Sequence, residues 1–213
     1  MSLDSIFKEQ WKEILIIIVA AVILGLSFSY LSKPLIFPLI TSFFILISLN
    51  TIAKKIMAYY YETDLKIRFW KWSQFWFTEY AHFKKPMPML WLPPLVSLIS
   101  QGAWQWLAIL EFDIQPKTER VSKRHGLYRF SQLVEYHVAV IATTGIAINL
   151  IVAVISYIIG FQTFAQLNIY YAFWSIIPLS GLDGYKILAG SKILWTTLLI
   201  ITGLLLVGSL IIA

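Results

Sequence analysis

Two ionisable residues lie at the ends of strongly apolar stretches, and they are the first candidates for chemistry. Lys54 follows the apolar stretch that begins at Leu35, and Asp183 lies in the Pro-Leu-Ser-Gly-Leu-Asp-Gly sequence that begins at Pro178. An ionisable group at membrane depth is costly, so such residues are functional candidates by default. Two simpler interpretations stay open. The Lys54 ammonium can extend to lipid headgroups, and Asp183 can cap a helix or a turn.

The composition indicates the kind of protein that must position these residues. Of the 213 residues, 59% are hydrophobic and 13% are charged, and the mean hydropathy is +0.74. Soluble domains have about 45–50% apolar and about 25% charged residues, so the composition predicts one polytopic membrane domain. Disordered, collagen-like and coiled-coil classes are excluded by the same numbers. Cysteine is absent, which excludes a disulfide framework, a thiolate metal site and a catalytic thiol.

Five apolar stretches predict membrane-crossing helices, because a helix of about 20 apolar residues spans the bilayer core. We interpret the first as a retained anchor, since it is too long for the core of a signal peptide and ends in a poor cleavage site. In chain order the stretches are residues 14–31, 35–53, 138–159, 164–177 and 193–212.

Residues 86–110 are apolar as well, but they contain four prolines and two glutamines, which make a poor lipid-facing helix. We therefore expect a re-entrant or packed segment. The basic loops on either side of it then share one face of the membrane, which makes sixteen of the seventeen Lys and Arg residues cytoplasmic. The predicted topology is an integral protein of the cell membrane with its N-terminus inside and its C-terminus outside.

The net charge of +6 is therefore explained by topology. The basic loops would also attract anionic membrane lipid, and no nucleic-acid motif is present.

The segment from Asp64 to Trp70 alternates apolar and polar residues, and this period of two predicts a short strand. Aromatic residues then continue to Tyr80. Two interpretations stay open for this region: an aromatic belt at the lipid interface, and a strand edge that pairs with an extended peptide.

Three motif-like sequences follow one another along the chain. The first combines Lys-Ile-Met-Ala from Lys55, Tyr-Glu from Tyr61 and Lys-Ile-Arg-Phe-Trp from Lys66. The second is Ala-Thr-Thr-Gly-Ile-Ala-Ile-Asn from Ala142, and the third is the sequence around Asp183, with Trp195 after it. Together they resemble the site-2 protease family of intramembrane zinc metalloproteases, especially its short archaeal members. The resemblance covers roughly residues 35–195.

This resemblance implies an all-α polytopic membrane protein: a site-2-protease-like bundle of about five to six transmembrane helices, with a re-entrant segment and a short β element. Residues 1–34 would form an N-terminal anchor, 35–195 the family-like core and 193–213 the C-terminal helix of a single domain. The resemblance also implies a binding groove for a transmembrane segment. Its residues would be Gly145, Asn149, Ser175, Pro178 and Gly184.

In the family, an H-E-x-x-H motif and a later aspartate serve a catalytic zinc. The register of the first motif places the H-E-x-x-H positions on Asn50, Thr51 and Lys54, while Asp183 keeps the aspartate position. An amide oxygen is a poor zinc ligand, an ammonium repels a dication, and threonine is no general base near neutral pH. We therefore expect neither catalytic residues nor zinc, with Asp183 as the one metal ligand retained.

The surviving carboxylate leads to a specific hypothesis. If the fold is kept, Lys54 approaches Asp183 across the former metal cavity, and the two form a structural ion pair at no more than about 4 Å. The chain's histidines, His82, His125 and His137, are spaced in no compact zinc-binding pattern.

Three functions remain open. The first is a site-2-protease-like protein that no longer cuts but binds or scaffolds other membrane proteins. The second is an active intramembrane metalloprotease with an atypical metal site. The third is a small transporter or channel subunit, although the chain shows no inverted repeat and few buried charges. Lipids and transmembrane segments of other proteins are the expected partners.

Overall fold

The computed structural model describes residues 3–29, 36–74, 82–116 and 134–212, and this part of the chain is mostly helical. Its elements are α1 (Leu3–Ser29), α2 (Ile36–Tyr60), β1 (Thr63–Phe69), β2 (Lys71–Gln74), β3 (His82–Pro88), α3 (Leu92–Ile99), β4 (Leu110–Pro116), α4 (Glu135–Ile159), α5 (Gln162–Ile176), α6 (Asp183–Gly190) and α7 (Lys192–Ile212).

Four helices in the described ranges are long and apolar enough to cross a membrane, where the sequence predicted five. They are Gln10–Ser29, Ile36–Tyr60, Glu135–Ile159 and Lys192–Ile211. The stretch predicted as the fourth span, residues 164–177, forms α5, which has 15 residues. At 1.5 Å per residue α5 is about 22 Å long, short of the roughly 30 Å bilayer core. It stops there because Pro178 follows and Ile177 is already extended.

Residues 86–110 contain one short helix, α3, between extended segments. The two prolines at the start of α3 are tolerated there because the first helical N–H groups need no partner inside the helix. With 8 residues, α3 is far too short to span a bilayer.

The first helix is part of the bundle core as well as a terminal segment. Ala20 and Leu24 of α1 and Phe43 of α2 are fully buried. Gly25 lies so close to Ile40 of α2 that a Cβ at Gly25 would press on the isoleucine side chain and backbone. This close approach of small residues is how helices pack in lipid, where apolar burial alone does not drive association.

The predicted strand is confirmed as β1, which pairs antiparallel with β4, so that Ile67 lies opposite Phe112. The alternation has its expected physical basis: Leu65 and Ile67 are buried, while Asp64 and Arg68 are exposed. Strands β2 and β3 form a second antiparallel pair.

The aromatic-belt interpretation is wrong for Trp70, which is fully buried. Its ring stacks on Trp106 at a centroid distance of 5.9 Å, and its indole N–H donates to the carbonyl of Ser180 at 2.7 Å. The predicted aromatic run from residue 75 to 80 lies outside the described residues, as do the turn at residues 33–34 and the basic loop at 117–129.

Candidate functional site

Lys54 and Asp183 form a buried ion pair, as the sequence predicted. The Lys54 Nζ lies 2.5 Å from Asp183 Oδ2, and the two side chains are 7% and 6% exposed. Lys54 therefore does not extend to lipid headgroups. Asp183 is in the first turn of α6, whose N-cap residue is Leu182. The Asp183 carboxylate accepts a hydrogen bond from Lys54. Two elements 129 residues apart in sequence are joined here.

Asn50 and Gly145 complete the inner side of this ion pair. Asn50 lies one turn before Lys54 on the same face of α2, and its Nδ2 donates to the carbonyl of Gly145 at 2.7 Å. A Cβ at Gly145 would overlap Cε of Lys54 and touch Nδ2 of Asn50. The absence of a side chain at Gly145 is therefore what lets the lysine cross from α2 to α6. Thr51, the next residue on α2, is also buried. Its side chain lies only partly on the helix face that Asn50 and Lys54 share.

The aromatic ring of Phe112 covers the pair from the sheet side. Lys54 Nζ lies 4.9 Å from the centre of this ring, and Nζ of Lys186 lies 3.6 Å from it. Two ammonium groups thus lie near the Phe112 ring. The π electrons of an aromatic ring attract cations more than neutral groups. Burial lowers the pKa of Lys186 to about 8, while the charge of Asp183 opposes this shift.

Lys186 is a site residue that the sequence reasoning missed. It lies three residues after Asp183, so both side chains share one side of α6. That spacing was the available signal.

On each outer edge of the β1–β4 pair, one backbone group is bonded by a charged side chain. The Trp70 backbone N–H donates to the Ile109 carbonyl at 2.9 Å, which extends the β1–β4 ladder by one residue pair. This bond shows which of the alternating residue pairs are hydrogen-bonded across the two strands. The backbone groups of Ile67 and Phe112 then point away from the partner strand. Glu13 of α1 accepts the Ile67 N–H at 3.3 Å, and Lys186 of α6 donates to the Phe112 carbonyl.

This arrangement bears on the alternative that a peptide pairs with a strand edge. Charged side chains at a sheet edge oppose uncontrolled pairing with other chains. Glu13 is itself held by an ion pair with Lys55 of α2. A peptide that pairs at Ile67 or at Phe112 must therefore displace Glu13 or Lys186.

The residues proposed from the sequence for a groove lie on α4, at the end of α5, in the loop after α5 and in the first turn of α6. Asn149 lies one helical turn after Gly145, is fully buried, and has no hydrogen-bond partner for either amide atom among the described residues. Ser175 is buried near the end of α5. Gly184 cannot carry a side chain, because a Cβ there would overlap the Ile176 carbonyl. Pro178 is the second residue of the loop that leads from α5 to α6.

This loop, residues 177–182, is tied to the sheet and to α7. Ser180 accepts the Trp70 indole N–H through its carbonyl, and its hydroxyl lies 3.2 Å from the Ser73 hydroxyl. On the other side, the Trp195 indole N–H donates to the Ile176 carbonyl at 3.0 Å. These bonds fix the position of the N-terminus of α6, and therefore that of Asp183, relative to Lys54.

A second, partly buried carboxyl group lies beside the loop. Glu111 of β4 accepts the Lys71 N–H at 3.3 Å and lies beside Gly181. Burial raises the pKa of Glu111 above its ordinary value, although the Lys71 backbone N–H and the charge of Lys186 oppose the shift. A Cβ at Gly181, which has φ of 91°, would crowd the Glu111 carboxylate.

The residues present do not fit a catalytic zinc. A zinc site needs about three protein ligands and an open position, but Asn50 turns its amide nitrogen to Gly145 and Lys54 occupies the Asp183 carboxylate. His137 stacks on Tyr61 at a centroid distance of 4.6 Å. In the part of the chain that the structure describes, no three potential metal-ligand side chains come together. The side chain of His82 and the whole of His125 lie outside that part.

Comparisons with known proteins add no assignment: no family model, no curated protein and no solved structure matches the chain.

Proposed function

We propose that this chain is an integral membrane protein related to the site-2 proteases, which has lost zinc-dependent proteolysis and binds or scaffolds other membrane proteins. The observation that carries the proposal is the buried ion pair of Lys54 and Asp183. Its two residues stand at positions where the resemblance places metal ligands. The elements that meet around the pair, α2, α4 and α6, are those on which the three motifs lie.

The chemistry of these positions supports binding rather than hydrolysis. The Lys54 ammonium supplies the positive charge that a buried carboxylate needs, so Asp183 is satisfied by the protein itself. Thr51, at the general-base position, has no group that takes a proton from water near neutral pH. The bundle thus keeps a polar centre while lacking the means to activate water.

Asn149 supplies the binding chemistry in this proposal. An amide side chain offers one acceptor oxygen and two donor hydrogens, which complement the C=O and N–H of a peptide group. Leaving such a group buried and unpaired costs free energy, about 1–3 kcal/mol for a typical polar group. Both amide atoms of Asn149 lack a partner within the described part of the bundle. Because Asn149 is fully buried, an unwound segment of a client helix would satisfy them only where the helices around α4 separate to admit it.

Metal analysis tests the loss of zinc. The purified protein, incubated with zinc and desalted, is expected to hold much less than one zinc per chain. The triple variant Asn50→His/Thr51→Glu/Lys54→His restores the family pattern beside the existing Asp183 and is expected to bind one zinc. Adding Asp183→Ala to this variant should remove the metal again. Stoichiometric zinc on the unaltered protein would contradict the proposal and favour the active protease.

A crosslinking experiment tests the binding role. The probes are two photoreactive single-span peptides in nanodiscs, one a continuous Leu-Ala helix and one interrupted by Gly-Pro at its centre. The interrupted peptide is expected to crosslink more strongly, because its unpaired backbone groups can bond to Asn149. Asn149→Leu is the matched variant: it is expected to lose this preference without losing stability, since it removes an unpaired buried amide at similar volume. Equal crosslinking of both peptides to both proteins would refute the role of Asn149.

A further inference from the structure

An apolar cavity lies between α4, α5 and α7, at the opposite end of α4 from the ion pair. Its volume is about 280 Å³. The cavity exists because small residues face one another across the three helices: Ala153 on α4, Ala165 on α5 and Gly208 on α7 line it. Around Gly208 the space is open, with no atom within 4 Å of where a Cβ would stand.

The lining changes from apolar to polar along the helices. Its apolar members, such as Ile169 of α5 and Leu205 of α7, lie well inside their helices. Its polar members lie nearer to the helix ends: Tyr157 shortly before the end of α4, Gln162 at the start of α5 with Gln166 one turn later, and Ser209 close to the end of α7. In a bilayer, helix ends lie at the headgroup level and helix centres in the hydrocarbon.

We propose that this cavity binds one acyl chain of a membrane phospholipid, with the lipid's glycerol and ester groups at the polar rim. The cavity, with a volume of about 280 Å³, is made by missing side chains, and it is too small for a partner helix, which is about 10–12 Å across with its side chains. The rim offers neutral amide and hydroxyl groups, and none of the residues that line the cavity is charged. The site therefore recognises the chain and the ester region and is indifferent to the charge of the headgroup.

The bound chain has a structural consequence for α7. This helix is the least buried of the four long apolar helices, with 11% of its apolar window buried, against 33% to 44% for the others. Leu204 and Leu205 of α7 both face the cavity. An acyl chain between them and α4 therefore supplies apolar contact that α7 does not obtain from the protein. This inference requires the long helices to lie in a membrane, and it is independent of zinc loss and of client binding.

Native mass spectrometry of the full chain tests the proposal, with Gly208→Leu as the filling variant and Gly203→Leu as its matched control. Both glycines are on α7 in open space, but Gly203 does not line the cavity. The probes are phosphatidylcholine and phosphatidylglycerol with identical acyl chains, titrated onto delipidated protein. The unaltered protein and Gly203→Leu are expected to retain one lipid of either kind with equal affinity. Gly208→Leu should weaken retention severalfold, because the added side chain occupies space that the acyl chain would fill.

A stability measurement accompanies the count of bound lipid. Added lipid is expected to raise the unfolding temperature of the unaltered protein and of Gly203→Leu, and to leave that of Gly208→Leu unchanged. If Gly208→Leu does not fold, Val154→Trp fills the cavity from the α4 side, where Val154 is half-exposed, and takes its place. Equal lipid retention by the filling variant and the unaltered protein would overturn the proposal. A strong preference for phosphatidylglycerol would overturn it as well, because it would indicate a site that reads headgroup charge.

Discussion

The ion pair of Lys54 and Asp183 makes the sharpest quantitative prediction. At its 2.5 Å separation and an effective dielectric of about 20, Coulomb's law gives a gross attraction of about 7 kcal/mol. Desolvation of each ion costs several kcal/mol, so the intact pair contributes little net free energy. Removing one partner leaves the other charge buried and uncompensated, which costs about 3–5 kcal/mol.

The perturbation is Lys54→Met, which keeps the apolar stem of the lysine and removes its charge. We expect its unfolding free energy to fall by about 3–5 kcal/mol, or its unfolding temperature by roughly 6–20 °C for a chain of this size. Asp183→Asn should cost a similar amount. The double variant Lys54→Met/Asp183→Asn should recover to within about 2 kcal/mol of the unaltered protein, because no buried charge is left unpaired.

Lys55 supplies a matched control on the neighbouring residue. Its ion pair with Glu13 is partly exposed, since the Lys55 side chain is 42% accessible, and such pairs contribute about 0–1 kcal/mol. The assay is thermal or denaturant unfolding of the purified protein in one detergent. If Lys54→Met costs no more than Lys55→Met, or if the effects of the two single substitutions simply add in the double variant, the reasoning about the buried pair is wrong.

Three further predictions concern residues around this site. Gly145→Ala should destabilise the protein by about 1–3 kcal/mol through overlap with the Lys54 side chain. In the Lys54→Ala background the same substitution should cost much less. A double-mutant cycle of unfolding free energies measures this difference. Gly184→Ala should destabilise it strongly through overlap with a backbone carbonyl of α5, whereas Gly203→Ala, in open space, should be close to neutral or stabilising in the same melting assay. Glu111, whose pKa burial raises above 4.5, binds a proton more tightly in the folded state, so its contribution to stability is present below about pH 4.5 and is lost as pH rises through its folded pKa. The unfolding free energy of the unaltered protein, relative to Glu111→Gln, should therefore fall as pH increases from 4 to 7; a difference that rises or stays flat would contradict this.

Much of the architecture could be predicted from local sequence. A helix of 20 or more apolar residues has few alternatives in a membrane, because its backbone groups must bond within the helix. This is why the ends of α4 and α7 lie close to the predicted limits. The alternation in β1 was equally informative, since burial of every second residue is imposed by strand geometry. The end of α5 before Pro178 was predicted to within one residue, but its interpretation as a span was wrong, because its 15 residues are too few to cross a bilayer core.

The site was predictable in part. The positions of Asn50, Lys54 and Asp183 followed from motif spacing. Because an unpaired charge in an apolar setting is costly, the ion pair of Lys54 and Asp183 could be expected from the sequence. The roles of Lys186 and Glu13 could not. Both depend on which backbone groups of β1 and β4 face outward, and that phase is a property of the strand pairing.

The sequence by itself determined that long apolar helices form, that a short strand follows α2, and that Asn50, Thr51 and Lys54 stand where the resemblance places the H-E-x-x-H motif. These are local properties, written in hydropathy, periodicity and residue type. Only the tertiary structure decided that Gly145 makes room for the lysine, that Trp70 is buried rather than at a lipid interface, and that small residues on three helices leave a cavity at the other end of α4. Each of these depends on which surfaces meet across large separations in the chain, and a side chain's volume matters only against the neighbour that the fold places beside it.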